Sequence, residues 1–206
     1  MDAKFIVIEG LDGSGKTTQL KLLARRMRAL GRSVEETAEP TASATGGLIR
    51  DALSGFTPRT GTEIAALFMA DRVAHNVNPV NGIERLLAEG TDVICDRYYY
   101  SSLAYQGVVS DPDWVFRINV DCPQIRKPDL CVFLDLDDAA CLRRMETSRP
   151  TREIYENENT LLAVRARYYD AFDRLAGRDR IVIVNADRAV EEVAEDVFAA
   201  VRAILE

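Results

Sequence analysis

The residues whose types and spacing could do chemistry begin with a glycine-rich segment close to the N-terminus. The segment from Gly10 to Thr17, GLDGSGKT, matches the pattern G-x-x-x-x-G-K-[ST] without a gap. Glycines let successive backbone N–H groups surround an anion, and the N-terminus of the following helix adds partial positive charge. Lys16 is predicted to contact the β- and γ-phosphates of a nucleotide, and the Thr17 hydroxyl to bind Mg²⁺. Since kinases, GTPases and motor ATPases share this pattern, it predicts nucleotide binding and leaves the reaction open.

A second candidate group follows an apolar segment in the middle of the chain. Asp96 and Arg97 come directly after Val93-Ile94-Cys95. A carboxylate at the end of such a strand would lie beside the glycine loop and hold Mg²⁺, directly or through water, although the same residue could cap a helix. The planar guanidinium of Arg97 matches a phosphate bidentately, and the alternative is an ion pair with Asp96 or a neighbouring acid.

Alternating apolar and amphipathic segments must position these residues. Short apolar runs predict strands over residues 5–8, 92–95, 130–136 and 181–184, and residues 33–37 are a weaker strand candidate. Helical spacing predicts helices over residues 17–30, 62–89, 138–145, 153–175 and 190–204, with shorter pieces before Gly55 and after Asp111 and an interruption at Asn78-Pro79. The alternation predicts an α/β fold with a three-layer parallel sheet flanked by helices, in a single domain over residues 1–206.

Composition and charge narrow the classes of protein further. The 206 residues include 26 basic and 33 acidic side chains, a net charge of −7 that disfavours non-specific coating of nucleic acid or anionic membrane. No apolar run approaches the roughly 20 residues of a membrane span or resembles a signal peptide. The four cysteines form no C-x-x-C pair, which predicts reduced thiols. We therefore expect a cytoplasmic protein with no nucleic-acid or membrane partner.

Three motifs together resemble the thymidylate kinase family. They are IEGLDGSGKTTQ near the N-terminus, LFMADRVAH in the middle helix and DRYYYSSLAYQG after the third strand. The order of elements, the total length and an arginine-bearing loop near residue 149 also fit, so the resemblance covers essentially the whole chain. It implies a P-loop nucleoside monophosphate kinase that transfers the γ-phosphoryl group of ATP to dTMP for dTTP biosynthesis. It also implies Mg²⁺ as cofactor, a short arginine-bearing lid at about residues 143–156 and a homodimer, for which the apolar helix surface between Ile64 and Leu87 is a candidate interface.

The same resemblance implies roles for residues of an acceptor site. Phe68 would stack on thymine and Arg72 would donate to a ring carbonyl, and four residues apart on a helix places both on one face. Arg97 would contact the acceptor phosphate, and Tyr105 would pack beneath the deoxyribose. Further implied contacts of the monophosphate are Asp12, Glu39, Pro40, Ser102 and Gln106, with Tyr155 and Glu156 of the lid directed towards a nucleotide sugar. The implied ATP-binding residues are Gly10, Asp12, Gly13, Ser14, Gly15, Lys16, Thr17 and Thr18.

Two further points concern arginines. One is a departure from the family pattern, and the other is which arginine of the lid acts in the reaction. Many family members have an arginine before the Glu39-Pro40 pair, where this chain has Ala38, and Arg50 is a candidate to compensate. The glycine loop itself contains no arginine, so the resemblance implies that the lid supplies the one that stabilises the transition state. Among the arginines there, Arg149 is favoured first and Arg152 second, because both lie in a segment broken by proline; the other two are Arg143 and Arg144.

Other readings of the sequence remain open at this stage. The chain could be a different nucleoside monophosphate kinase, or a deoxynucleoside kinase that needs a carboxylate base, for which Glu9 and Glu39 are candidates. It could also be a non-catalytic nucleotide-binding switch that keeps only the glycine loop. His75 has no predicted chemical role.

Overall fold

The computed structural model describes residues 2–148 and 158–205 of the chain. The described strands are β1 (Phe5–Gly10), β2 (Val34–Ala38), β3 (Asp92–Asp96), β4 (Leu130–Asp135) and β5 (Ile181–Asn185). They form one sheet in the order β2-β3-β1-β4-β5, and every neighbouring pair is parallel. The predicted α/β class with a parallel sheet is confirmed.

Helices connect these strands and cover the sheet. The described helices are α1 (Lys16–Ala29), α2 (Ala44–Leu53), α3 (Gly61–Val77), α4 (Ile83–Ala88), α5 (Tyr99–Val109), α6 (Pro112–Val120), α7 (Asp138–Ser148), α8 (Glu158–Leu175) and α9 (Val190–Leu205). Helix α1 packs on α9, while α5 packs on α3, α6 and α8. Among the described residues, none of these helices is both long and apolar enough to cross a membrane.

The burial of each strand explains how clearly its sequence predicts it. All six residues of β1 and the first four of β3 are buried, including the charged Glu9 and Asp92, as expected for central strands of a parallel sheet covered on both faces. Strands β2 and β5 lie at the edges and are only partly buried, and β2 was the weakest prediction. The thiols of Cys95, Cys131 and Cys141 are buried in the same core, and all four cysteines are free.

Of two helical regions, one agrees with the sequence-based expectation and one differs from it. The helix over 62–89 is divided at Asn78-Pro79 into α3 and α4, as the proline predicts. Helix α5 was not predicted, because nine of its eleven residues are buried and it therefore has no polar stripe to reveal its period. The predicted start of α8 at residue 153 falls outside the described residues.

The sheet brings the two chemistry-bearing segments together. Strand β1 pairs with β3 so that Ile8 is opposite Asp96, and the glycine loop follows β1 at the same edge. The chain order switches between these strands, since β1 has β3 on one side and β4 on the other. In open α/β sheets the crevice at such a switch point is the usual place for a ligand.

Candidate active site

The glycine loop between β1 and α1 has the backbone that anion binding requires. Gly13 has a φ of +84°, and a Cβ there would lie 2.7 Å from the carbonyl oxygen of Cys141. Gly15 has a φ of +96° and is the N-cap of α1, so no side chain caps that helix. The Ser14 Oγ is buried and has no hydrogen-bond partner among the described residues. Uncapped N–H groups and an unsatisfied hydroxyl at one place favour an anionic ligand.

Lys16 and Thr17 occupy the first turn of α1. The Lys16 Nζ donates to the carbonyl oxygen of Leu11 at 2.9 Å and lies 3.8 Å from Asp12 Oδ1. Burial lowers the pKa of Lys16, and the neighbouring cation of Arg97 lowers it further, against the opposing effect of nearby carboxylates. An anionic ligand would offset this cost of a buried ammonium group.

The predicted metal-binding pair lies at the mouth of the same loop. The Thr17 Oγ1 donates to Asp96 Oδ2 at 2.9 Å, so the start of α1 and the end of β3 present two oxygens side by side. Hydroxyl and carboxylate oxygens are the hard ligands that Mg²⁺ prefers. The donor set therefore fits this cation.

These residues form one end of a cleft of about 640 Å³. The described residues that line its glycine-loop end are Asp12, Gly13, Gly15, Lys16, Thr17 and Thr18. Those that line the remainder are Ala38, Glu39, Pro40, Arg50, Leu53, Phe68, Asp96, Arg97, Ser101, Tyr105, Gln106 and Arg144. Residues separated by more than 100 positions in the chain thus share one surface.

Arg97 lines the acceptor end of the cleft and reaches Asp12 of the glycine loop. Its φ of +69° lies in the left-handed region, which costs a non-glycine residue about 1–2 kcal/mol. Its Nη2 donates to Asp12 Oδ1 at 2.8 Å, and its guanidinium lies 5.1 Å from the ring centroid of Tyr105. The ion pair anticipated as an alternative is therefore made with Asp12 rather than with Asp96. Burial acts to lower the pKa of Arg97, but the charge of Asp12 and other nearby groups hold it above its ordinary value.

At the far end of the cleft, two residues that the sequence places on one helix face have different surroundings. Phe68 lines the cleft, together with Tyr105 and Gln106 of α5. Arg72 is completely buried and donates instead to Glu39, at 2.8 Å from its Nε. The same guanidinium also contacts Ser102 and Asn119.

The Glu39-Pro40 segment follows β2 and forms one wall of the cleft. Asp71, whose side chain is buried, accepts from the Thr41 N–H and Thr41 Oγ1, both at 2.7 Å, and from Ser43 Oγ at 2.8 Å. Arg50 lines the cleft and donates to the carbonyl oxygen of Thr41 at 2.6 Å. Sequence reasoning missed Asp71, although it precedes Arg72 in the motif LFMADRVAH.

Sequence reasoning also missed a buried hydrogen-bond network behind the cleft. Glu9, considered only as a candidate base, accepts hydrogen bonds from Ser101 and from Tyr168 of α8. The sequence holds no local signal for this contact, because Tyr168 lies 159 positions from Glu9. His75 lies beside Glu39, with Nδ1 3.0 Å from Oε1.

The arginine-bearing segment is described only in part. Arg143 and Arg144 of α7 are both exposed, and of the two only Arg144 lines the cleft. The residues favoured from the sequence, Arg149 and Arg152, lie outside the described residues, as do Tyr155 and Glu156.

Comparison with known proteins gives a consistent result over the full length of the fold. The family model described as "Thymidylate kinase" matches residues 8–197. A relative from Methanocaldococcus jannaschii named "Probable thymidylate kinase" is 38% identical over 202 residues, which cover 96% of this chain and 95% of the relative. One with the same name from Pyrococcus horikoshii is 39% identical over 208 residues, covering 98% and 97%. This chain belongs to the thymidylate kinase family.

Proposed function

We propose that this protein transfers the γ-phosphoryl group of ATP to dTMP, giving ADP and dTDP. The observation that carries the proposal is that one cleft holds the glycine loop at one end and Arg97, followed by aromatic side chains, at the other. Phosphoryl transfer between two nucleotides needs two anion sites within bonding reach of each other. Family membership adds the identity of the acceptor.

The donor end would bind the phosphates of ATP through backbone N–H groups and Lys16. The unsatisfied Ser14 Oγ and the uncapped start of α1 support this assignment. Lys16 is long enough to follow the β- and γ-phosphates as charge shifts between them. The proposed ATP-binding residues are Gly10, Asp12, Gly13, Ser14, Gly15, Lys16, Thr17 and Thr18.

Thr17 and Asp96 would hold Mg²⁺, with Asp96 binding directly or through water. Their oxygens already lie within 2.9 Å of each other at the glycine loop. The cation, when bound, neutralises charge on the β- and γ-phosphates.

The acceptor end would bind dTMP. Arg97 contacts its phosphate beside Asp12, while Tyr105 and Phe68 cover the sugar and the base. Arg72 would act indirectly on the side of the site that binds the base. It donates hydrogen bonds to Glu39, in the wall of the cleft, and to Ser102. Pro40, Arg50 and Gln106 complete the proposed monophosphate site, with Arg50 taking the place left by Ala38.

The chemical step needs no protein nucleophile. An oxygen of the dTMP phosphate forms a bond to the γ-phosphorus as the bond to the β-phosphate oxygen breaks, and ADP leaves with that electron pair. The chain contributes alignment and charge stabilisation through Lys16 and Arg97. We assign the transition-state arginine to the lid, in the order Arg149 and then Arg152, with Tyr155 and Glu156 contacting a nucleotide sugar. Closure of that segment would keep water from the γ-phosphate.

We further propose a cytoplasmic homodimer in which α3 and the segment that follows it contribute to the interface. Val77 is 47% exposed and Val80 is 74% exposed on this stretch. Burial of such apolar surface against a second copy would be favourable. Sedimentation of the purified protein tests this directly, and a monomer at micromolar concentration would contradict it.

A panel of acceptors tests the proposed reaction. The protein is incubated with ATP and Mg²⁺ and with dTMP, dUMP, thymidine or the other nucleoside monophosphates, and the products are resolved by chromatography. We expect dTDP from dTMP as the dominant product. Phosphorylation of thymidine would instead indicate a deoxynucleoside kinase, and ATP binding without transfer to any acceptor would indicate a nucleotide-binding switch.

A further inference from the structure

Glu9 is a completely buried carboxylate that lies directly behind the cleft. It is the next-to-last residue of β1 and accepts four hydrogen bonds. Its Oε1 accepts from the N–H groups of Tyr98 at 2.8 Å and Ser101 at 3.1 Å. Its Oε2 accepts from Ser101 Oγ at 2.7 Å and from the Tyr168 hydroxyl at 2.9 Å. The mechanism above gives this carboxylate no task.

The two hydroxyls that donate to Glu9 are also the ones that Arg97 contacts. Arg97 Nη1 donates to Ser101 Oγ at 2.8 Å and to the Tyr168 hydroxyl at 3.3 Å. Each hydroxyl has a single hydrogen. The two hydroxyl oxygens also lie 2.9 Å apart, so the charge of Glu9 is what draws both hydrogens to the carboxylate instead of one hydroxyl donating to the other. When both hydrogens point to Glu9, both oxygens present lone pairs to the guanidinium of Arg97.

We infer that Glu9 is a positioning residue that orients Arg97 towards the acceptor phosphate through Ser101 and Tyr168. Asp12 holds Nη2 on the cleft side, and the Glu9 network holds Nη1 from behind. Such a second layer is needed here because the backbone of Arg97 is in a strained left-handed conformation, with φ +69°. The inference rests on the proposed function in one respect, which is that Arg97 binds the acceptor phosphate.

The charge of Glu9 is sensitive to its surroundings. Burial raises the pKa of Glu9, while Arg97 and the donated hydrogen bonds oppose that rise. Protonation would give Oε2 one hydrogen, so the carboxyl would donate to one of the two hydroxyls and reverse that hydrogen bond. The titratable groups that interact electrostatically with Glu9 are Lys16, Cys95, Arg97, Tyr105, Cys131 and Tyr168.

The variant Glu9→Gln tests the inference because it keeps the shape of the side chain. Its amide oxygen can still accept from the two backbone N–H groups, but its NH₂ group donates to the hydroxyls and turns their hydrogens towards Arg97. We expect kcat/KM for dTMP to fall about 10- to 100-fold, the usual range for a hydrogen bond to a charged group, with the KM for ATP within about twofold of wild type. The control is Asp92→Asn, another buried carboxylate at the opposite end of the sheet, which should leave these constants unchanged.

A combined variant separates positioning from simple core stability. In a Ser101→Ala, Tyr168→Phe background the intermediaries are gone, so adding Glu9→Gln should change kcat/KM by less than about threefold. An undiminished effect in that background would overturn the inference. Should Glu9→Gln fail to fold, each single hydroxyl variant serves instead: we expect a raised KM for dTMP, and wild-type constants in both would overturn the inference.

The pH dependence of kcat/KM supplies a measurement that a purely structural role of Glu9 would not change. As the pH falls through the pKa of Glu9, the wild-type carboxyl becomes a donor like the amide, so the ratio of wild-type to variant kcat/KM should fall towards one. Ionisation of dTMP cancels in that ratio. A pH-independent ratio would contradict the inference.

The failure of this inference can be distinguished from the failure of the proposed function. If the wild-type protein transfers nothing to dTMP in the acceptor panel, the proposed function is wrong. Crystal structures of the wild type and Glu9→Gln still test the positioning, since we expect Arg97 Nη1 to leave Ser101 and Tyr168 in the variant. A guanidinium in the same place in both structures would overturn the inference.

Discussion

The two ends of the cleft are built in different ways. At the glycine-loop end, eight consecutive residues supply the anion site, and the contacts that shape it are short in sequence, such as Lys16 to Leu11. At the acceptor end, Arg97 contacts Asp12 from 85 positions away and Tyr168 from 71 positions away. The geometry of a local motif depends on its own residues, whereas the geometry of a site assembled from distant residues depends on every helix and strand that contributes a residue. The two ends should therefore respond differently to substitution.

The substitution expected to impair the glycine-loop end most is Lys16→Ala. Because Lys16 supplies the mobile charge at the β- and γ-phosphates, we expect kcat to fall by at least about 10²- to 10³-fold, the usual loss for one preorganised donor. Steady-state transfer to dTMP measures it. The matched control is Lys21→Ala, an exposed lysine on the same helix, which should have wild-type kinetics. Normal turnover by Lys16→Ala would remove the role assigned to the loop.

The acceptor end is tested by Arg97→Lys, which keeps the charge and loses the planar fork. The compact ammonium group of a lysine has no planar fork to reach Asp12 and Ser101 from opposite sides and bind a phosphate bidentately, so we expect kcat/KM for dTMP to fall about 10- to 100-fold while the KM for ATP changes little. The control Arg25→Lys lies on an exposed position of α1. A loss of affinity for ATP equal to that for dTMP would show that the two ends are not separate sites.

A smaller effect is expected from the arginine pair at the rim. Both arginines are exposed, but only Arg144 lines the cleft, which makes its neighbour Arg143 a matched control. Arg144→Ala should lower kcat by about 3- to 10-fold through weaker charge stabilisation at a solvent-accessible position, and Arg143→Ala should not. Comparison of the two variants under saturating ATP and dTMP measures the difference. Equal effects would argue against a specific contact from Arg144.

The smallest expected effect is on the pH dependence of stability, through Glu9. Its pKa is raised by burial, so the folded state binds more protons than the unfolded state between the unfolded value of about 4.3 and the higher folded value. The free energy of unfolding should thus fall as the pH rises through that window, by up to about 1.4 kcal/mol per pH unit relative to Glu9→Gln. Urea denaturation of both proteins at several pH values measures it, and parallel stability curves would contradict the raised pKa.

The comparison also explains which predictions the sequence could support. The glycine loop, the strands β1, β3 and β4 and the break at Asn78-Pro79 follow from short-range rules about glycine conformation, apolar runs and proline. Helix α5 was not predicted because it is buried on nearly all sides, and a buried helix has no polar face to reveal its period. Asp71 escaped because a carboxylate inside a helix motif has no sequence signature until the loop that it holds is seen.

Within the candidate site, the sequence and its family resemblance named Arg97, Phe68 and Tyr105, and the structure brings all three to one cleft. It does not do the same for Arg72, which is buried against Glu39. Spacing on a helix determines only which residues share a face. Whether a side chain on that face reaches a ligand or a neighbouring carboxylate depends on what the next element places opposite it.

By itself, the sequence determined the class of the fold, the presence of a nucleotide-binding motif and the residues of the glycine loop, because those properties follow from local composition and spacing. Only the tertiary structure decided that Asp12 pairs with Arg97 and that Glu9 reaches Ser101 and Tyr168. The physical reason is that these partners come from β1, the glycine loop, α5 and α8, and parallel strand pairing with helix packing sets their distances. No rule on neighbouring residues contains that information.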